Sequence, residues 1–297
     1  MRILHIDTGR EMRGGQWQVF YLISGLVARG EKCVLLARRG SPLARRVAES
    51  GALVEEVSLA AVRRHGTGCD LAHAHTGRAH TLAAAAGVSP LVVSRRVAFP
   101  VKHGWASRWK YGRATRYLAV SRYVKQTLLD ADVSSERISV VNDGVPLLEP
   151  VGAGEDVVTP ASDDPLKGSA LARESARLAG VELRYAPDLR AGLERAALLL
   201  YLTEQEGLGS GALLAMSAAV PVVASRVGGL PEVIEDEVTG LLVENRAETV
   251  AAAIGDLMRD PERRRQMGAR GRERVMKMFT LDHMVEATLA VYAEVVS

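Results

Sequence analysis

The chain has 297 residues, more than one core usually organises, and its 47% hydrophobic and 25% charged residues fit two soluble domains rather than a disordered or membrane class. Its net charge of +3 hides a division, because residues 1–150 carry 22 Lys and Arg against 12 Asp and Glu while the remainder carries 16 against 23. No apolar run approaches the roughly 20 residues that cross a bilayer, MRILHI is too short for a signal-peptide core, and Cys33 and Cys69, without CxxC spacing, fit a reduced cytoplasmic protein.

In chain order, RILHI reads as a first strand. Gly14 and Gly15 follow, then a helix in which Val19, Leu22, Ile23 and Leu26 share one face. CVLLA, the helix SPLARRVAESG, LVEEV, DLAHAH, a helix around Thr81, PLVVS, RYLAV, the helix SRYVKQTLLDA and ISVV continue the alternation. This rhythm predicts a parallel sheet with helices on both faces. NDGVPLLEPVGAGED then loses periodicity and gathers glycine and proline, the composition of an interdomain linker.

The second half restarts the pattern with DVVTP, the loop ASDDPLKG and the helix SALARESARLA. VELRYA, the helix DLRAGLERA, ALLLYL, a helix from about Ser210 to Ala219, PVVAS and GLLV come next. The remainder is almost all helical, with Met284, Ala287, Thr288 and Val291 at helical spacing. The predicted fold class is α/β, two tandem doubly wound, Rossmann-like domains whose ligand belongs at the carboxyl ends of the strands, in the cleft between them.

Between ALLLYL and its helix lies TEQEGLGSG. The unpaired amides of the helix's first turn favour an anion such as a diphosphate. Gly207 and Gly209 let a ligand approach the backbone, so Gly207, Leu208, Gly209 and Ser210 are candidate diphosphate-binding residues. Glu206 would repel a phosphate and suits the neutral hydroxyls of an attached sugar; it could equally complement the helix dipole.

Two further groups stand out. Between Asp70 and Asp130 there is no carboxylate, and the stretch 95–125 interleaves basic residues with Trp105, Trp109, Tyr111, Tyr117 and Tyr123. Such a surface suits anionic lipid headgroups, a phosphate-bearing acceptor or nucleic acid, and a solvated basic face is the bland alternative. His73, His75 and His80 could suggest a metal, but the nearest carboxylate is Asp70, so no metal is expected; packing is the alternative for His73 and His75.

EGLGSGALLAM, PVVAS, VGGLPEVIEDEVTGLLV and FTLDHMVEATLAVYAEV together resemble the retaining glycosyltransferases of family 4, which have the GT-B fold. The likeness is strong over 200–297, weaker at MRILHI, Gly14-Gly15, DLAHAH, YLAVSRYVKQTL and VVNDGV, and least over 150–195. It implies an acceptor-side domain over 1–149, a nucleotide-sugar domain over 150–280 that looks trimmed, and a helix at 281–297 that packs back on the first domain.

Residue by residue, the resemblance makes Glu206 the first Glu of a Glu-x7-Glu element, holding donor-sugar hydroxyls, but the second position is Leu214. Of a phosphate-binding Arg and Lys, Lys167-Gly168 is kept and the Arg position is Ser162. Gly14 and Gly15 correspond to the glycine loop near the donor phosphates, and His75 to the histidine beside the transferred sugar. The implied function is a metal-independent, retaining transfer from a nucleoside-diphosphate sugar to an envelope glycan, lipid-linked or other acceptor, with the leaving phosphate taking the acceptor's proton. No cofactor and no nucleic acid are implied. The protein would be cytoplasmic, with peripheral contact to anionic membrane through 95–125 at the inner face as a further expectation. Ser162 and Leu214 keep open a catalytically weakened GT-B protein that binds a nucleotide sugar or supports a partner enzyme. A dinucleotide enzyme lacks its GxGxxG, and an esterase its Gly-x-Ser-x-Gly.

Overall fold

The computed structural model describes residues 1–101, 104–151 and 154–297. They divide into two compact units, Met1–Gly144 with Leu281–Ser297, and Val145–Thr280. The expected boundary after residue 149 falls inside the second unit. Val145 N donates to Phe279 O at 2.9 Å and pairs with Thr280 in an isolated bridge, which ties this segment to the second unit.

The first unit alternates strand and helix: β1 Arg2–Ile6, α1 Gly14–Ala28, β2 Lys32–Ala37, α2 Pro42–Glu49, β3 Leu53–Glu56, α3 Leu59–Gly66, β4 Leu71–Ala74, α4 Gly77–Ala86, β5 Leu91–Arg95, α5 Trp105–Gly112, β6 Arg116–Ala119, α6 Arg122–Leu129 and β7 Ile138–Val140. Its sheet runs β3-β2-β1-β4-β5-β6-β7, all parallel. The apolar runs ILHI and LAHA are buried along their length, as strands covered on both faces must be. Ser41, Ser58, Thr76 and Ser121 each cap a helix by accepting from an amide in its first turn. α3 and α5 are additions to the sequence reading: LAAVRRHG is short, and α5 lies within the stretch read only as basic and aromatic.

The second unit comprises β8 Asp156–Pro160, α7 Ser169–Ala179, β9 Leu183–Ala186, α8 Leu189–Leu193, β10 Ala196–Tyr201, α9 Ser210–Ser217, β11 Val222–Ser225, α10 Leu230–Val233, β12 Leu241–Val243, α11 Ala247–Arg259 and α12 Pro261–Met278. Its five strands run β12-β11-β10-β8-β9, again all parallel. Leu198, Leu200, Val223, Ile254 and Leu257 are fully buried in its core.

The last helix, α13 Leu281–Val296, belongs to the first unit. Its Met284, Val285, Val291 and Tyr292 join Leu22, Ile23, Leu26 and Leu35 in one core. Tyr292 is fully buried and its hydroxyl lies 2.5 Å from His73 Nδ1, so this helix supplies both apolar mass and a polar partner to the first sheet.

Candidate functional site

Each sheet reverses its order once, in the first unit between β1 and β4 and in the second between β8 and β10. Open parallel sheets bind ligands beyond the carboxyl ends of the strands at such a reversal. In the second unit the loops leaving β8 and β10 are those that carry Lys167 and Glu206.

Glu206 is the centre of this group. Its Oε2 accepts from Lys167 Nζ and from the Tyr201 hydroxyl, both at 3.0 Å, and its Oε1 accepts from Gly207 N at 3.1 Å. The carboxylate is mostly buried, with 14% of its side chain exposed against 40% for Lys167. Burial, and after it the adjacent Glu206 charge, pushes the Tyr201 hydroxyl well above the usual phenol range, so it remains a donor. Tyr201 was not among the residues expected from sequence; its position at the end of an apolar strand, five residues before Glu206, is the only signal there.

Backbone contacts hold the two loops together. Leu166 O accepts from Glu204 N at 2.8 Å and from Thr203 Oγ1 at 3.0 Å. Gly168 has φ +64° and a Cβ there would meet Leu202 O at 2.7 Å, so the turn itself requires glycine after Lys167. On the other side, Cβ atoms at Gly228 and Gly229 would stand 2.0 Å from Glu206 O and 2.2 Å from Gly207 O, while Gly229 N donates to Glu206 O at 3.1 Å. The segment VGG thus packs directly on EG.

Gly207, Leu208 and Gly209 are buried and Ser210 opens α9, whose first turn has no acidic residue and no side-chain cap. The helix dipole at this end favours an anion, although the Gly211 amide already bonds to the Tyr201 hydroxyl. Ser162 Oγ accepts from Asp164 N at 3.2 Å, and Leu214 is half-buried on α9. Neither position supplies a charged group.

In the first unit, Gly14 and Gly15 start α1, and a Cβ at Gly15 would meet nothing within 4 Å. Just before them Asp7, 1% exposed, accepts from Gly9 N at 2.6 Å and Gln16 Nε2 at 3.2 Å. Burial raises its carboxyl above the usual range despite those bonds. After β5, Arg96 Nε donates to Asp143 Oδ1 at 2.9 Å. Asp7, Gln16, Arg96 and Asp143 went unread in the sequence.

His75 follows β4 and its Nε2 lies 3.0 Å from His5 Nδ1, while its buried Nδ1 has no partner among the described residues. Parallel pairing of β1 with β4 sets His5 opposite His73. His80 stays apart from this cluster and donates from Nε2 to Lys110 O at 3.0 Å. Ligand nitrogens of His5, His73 and His75 lie within 4.8 Å of one another. Hydrogen bonds occupy much of this set, since His73 also pairs through Nε2 with Ser94 Oγ at 2.8 Å and through Nδ1 with Tyr292. Burial first, then the mutual charges, drives His73 and His75 well below the usual imidazole range, and burial takes His5 down to about 3, so all three rings are neutral at pH 7.

The structure therefore brings Lys167, Gly168, Glu206 and Gly207 together in the second unit, and Gly14, Gly15 and His75 to the carboxyl edge of the first sheet. Lys102 and His103 of the basic stretch lie outside the described residues. α5 itself buries none of its residues, and Trp105 is 84% exposed.

Comparison with known proteins finds two family models. Glycosyltransferase Family 4 matches residues 12–147, and Glycosyl transferases group 1 matches residues 181–274. The alpha-maltose-1-phosphate synthase of Mycolicibacterium smegmatis is 40% identical over 114 residues, covering 36% of this chain and 30% of that protein. The N-acetyl-alpha-D-glucosaminyl L-malate synthase of Bacillus anthracis is 40% identical over 99 residues, 33% of this chain and 26% of its own. The chain thus spans under a third of the length of these curated relatives in the matched stretch. Anabaena Alr3699/HepE superposes with a TM-score of 0.87 at 16% identity, over 99% of both chains, a likeness of fold. The two family models with the two doubly wound parallel sheets make this chain a member of glycosyltransferase family 4, with the GT-B fold.

Proposed function

We propose that the protein is a retaining glycosyltransferase that moves a sugar from a nucleoside-diphosphate sugar to an envelope glycan, lipid-linked or other acceptor. The observation that carries this reading is the 3.0 Å juxtaposition of Lys167 and Glu206 beside the start of α9. A cation and the positive end of a helix dipole suit a departing diphosphate. A carboxylate held next to them suits the hydroxyls of the sugar attached to it.

In the proposed reaction the bond between the anomeric carbon and the diphosphate oxygen breaks, and the acceptor oxygen bonds to that carbon on the same face. The acceptor's proton passes to the leaving phosphate. Lys167 and the backbone from Leu208 to Ser210 at the start of α9 stabilise the charge that develops there. In the first unit, His75 and the Gly14-Gly15 turn are the positions that the family resemblance assigns to sugar and phosphate contact. Nothing in this scheme calls for a metal or cofactor. The structures of Anabaena Alr3699/HepE are described as complexes with UDP, UDP and glucose, and UDP-glucose, which makes uridine donors the first to try.

A lipid-linked acceptor is supported by α5, where Trp105, Arg108 and Trp109 fall at i, i+3 and i+4 on a helix with no buried residue. Among the described residues no helix is long and apolar enough to cross a membrane, so the contact would be peripheral, at the cytoplasmic face. A second reading, a weakened protein that only binds a nucleotide sugar, is favoured by Ser162 and Leu214, which offer no charge to phosphate or ribose.

The test is a thermal-shift screen with UDP, GDP, ADP, CMP and their common sugar conjugates, followed by donor hydrolysis on any hit. Stabilisation with slow sugar release supports the enzyme. Stabilisation without release supports the binding protein, and no stabilisation by any nucleotide overturns both.

A further inference from the structure

Glu206 Oε2 has two donors of different character. Lys167 reaches it through a flexible four-carbon stem and is 40% exposed. Tyr201 reaches it from the last position of β10, and its ring is clamped against the first turn of α9, where a Cβ at Gly211 would stand 2.6 Å from Tyr201 Cε2. One donor can leave; the other is fixed.

We infer that Tyr201 is a positioning residue for Glu206, holding the carboxylate in place when Lys167 turns to a donor diphosphate. The inference rests on the reading of Lys167 and Glu206 as a donor site. A diphosphate carries more negative charge than one carboxylate and competes for the same cation. When Lys167 answers it, Glu206 is left as a mostly buried anion that has lost its counter-charge, a costly state unless other donors remain. Two remain, one on each oxygen: the Tyr201 hydroxyl on Oε2 and Gly207 N on Oε1. Together they fix the plane of the carboxylate, so its remaining lone pairs meet the sugar hydroxyls without reorganisation. The tyrosine touches neither sugar nor phosphate in this account and acts only through Glu206.

Tyr201→Phe keeps the clamped ring and removes only the hydroxyl. With UDP-sugar as donor, the expected result is a fall in turnover of about ten-fold or more, with the affinity for UDP alone, read by calorimetry, within about two-fold of wild type. In a Glu206→Gln background the same substitution should change turnover no further. Turnover equal to wild type in Tyr201→Phe, or an undiminished loss in the Glu206→Gln background, overturns the role of Tyr201 while leaving the donor site standing. A parallel loss of UDP affinity and turnover makes Tyr201 merely structural and also overturns it. Failure of the wild type itself to bind UDP, GDP or ADP is a separate result, which removes the donor-site reading and this inference together.

Discussion

Lys167 Nζ and Glu206 Oε2 stand 3.0 Å apart, so the cation and the carboxylate proposed to serve phosphate and sugar neutralise one another across two loops. This pairing makes their substitutions non-equivalent. Replacing Glu206 by Gln removes an acceptor for the sugar but also releases Lys167 toward phosphate. Turnover is expected to fall about 100-fold, on the order of what losing one transition-state contact costs, while the affinity for UDP holds or tightens up to about five-fold, the equivalent of a partly exposed ion pair. Calorimetry with UDP beside a donor-hydrolysis assay checks this; a ten-fold loss of UDP affinity would assign Glu206 to the loop's fold instead.

Lys167→Ala acts in the opposite sense. A nucleoside diphosphate should bind about ten-fold or more weakly, whereas the corresponding nucleoside should bind as before, because only the phosphates meet the ammonium group. Equal binding of the diphosphate by variant and wild type takes Lys167 out of the site.

The glycines divide by what surrounds them. Gly229→Ala places a Cβ 2.2 Å from Gly207 O and should destabilise the second unit by about 1–3 kcal/mol, visible as a lower urea midpoint. At Gly15 a Cβ meets nothing within 4 Å, so Gly15→Ala should leave the urea midpoint unchanged and lower donor turnover if phosphate approaches there. A stable Gly229→Ala protein would contradict the packing of VGG on EG.

Much of the architecture is legible in the sequence because it depends on local pattern. RILHI, DLAHAH and ALLLYL are short apolar runs that only a strand covered on both faces can use, and the alternation with helices then dictates parallel pairing. Lys167, Gly168 and Glu206 were legible through their motif setting. Tyr201 and His5 were not, because each acquires its role from a contact that pairing creates: His5 meets His73 only through the register of β1 on β4, and Tyr201 meets Glu206 only after the strand turns into α9. Arg96 and Asp143, 47 residues apart, are joined in the same way. α5 escaped because none of its residues is fully buried, so no apolar face announced it.

The buried imidazoles give a pH signature. The folded-state values of His5, His73, His75 and His80 are all depressed, those of His5 and His80 to about 3, against 6.5 for an unfolded histidine. Above about pH 6.5 neither state holds the extra proton and stability is unaffected. Below it the unfolded chain binds protons that the folded one refuses, so stability falls with pH at up to about 1.4 kcal/mol per unit for each histidine. Urea denaturation at pH 7.0 and 5.0 should show the loss, and His5→Asn should make the dependence shallower. Equal midpoints at the two pH values would mean that these rings are not held neutral.

Surface binding is separable from catalysis. Sedimentation with vesicles containing anionic phosphatidylglycerol should enrich the protein over vesicles of phosphatidylcholine alone, and Trp105→Ala with Arg108→Ala should lower that enrichment several-fold. Donor hydrolysis in the absence of lipid should be unchanged in the double variant. No enrichment on anionic vesicles removes the membrane from the proposal.

The placement of α13 has a consequence for biosynthesis. The first unit is assembled from residues 1–144 and 281–297, so its core lacks Met284, Val285, Val291 and Tyr292 until the last helix leaves the ribosome. Domains usually fold as they emerge, amino-terminal first. Here the early one must wait, its His73 without the tyrosine hydroxyl and Leu22, Ile23 and Leu26 without their full cover, while the whole of the second unit is being translated. A nascent chain stalled before residue 281 should accordingly be a chaperone client, with its later unit folded and its earlier one still open.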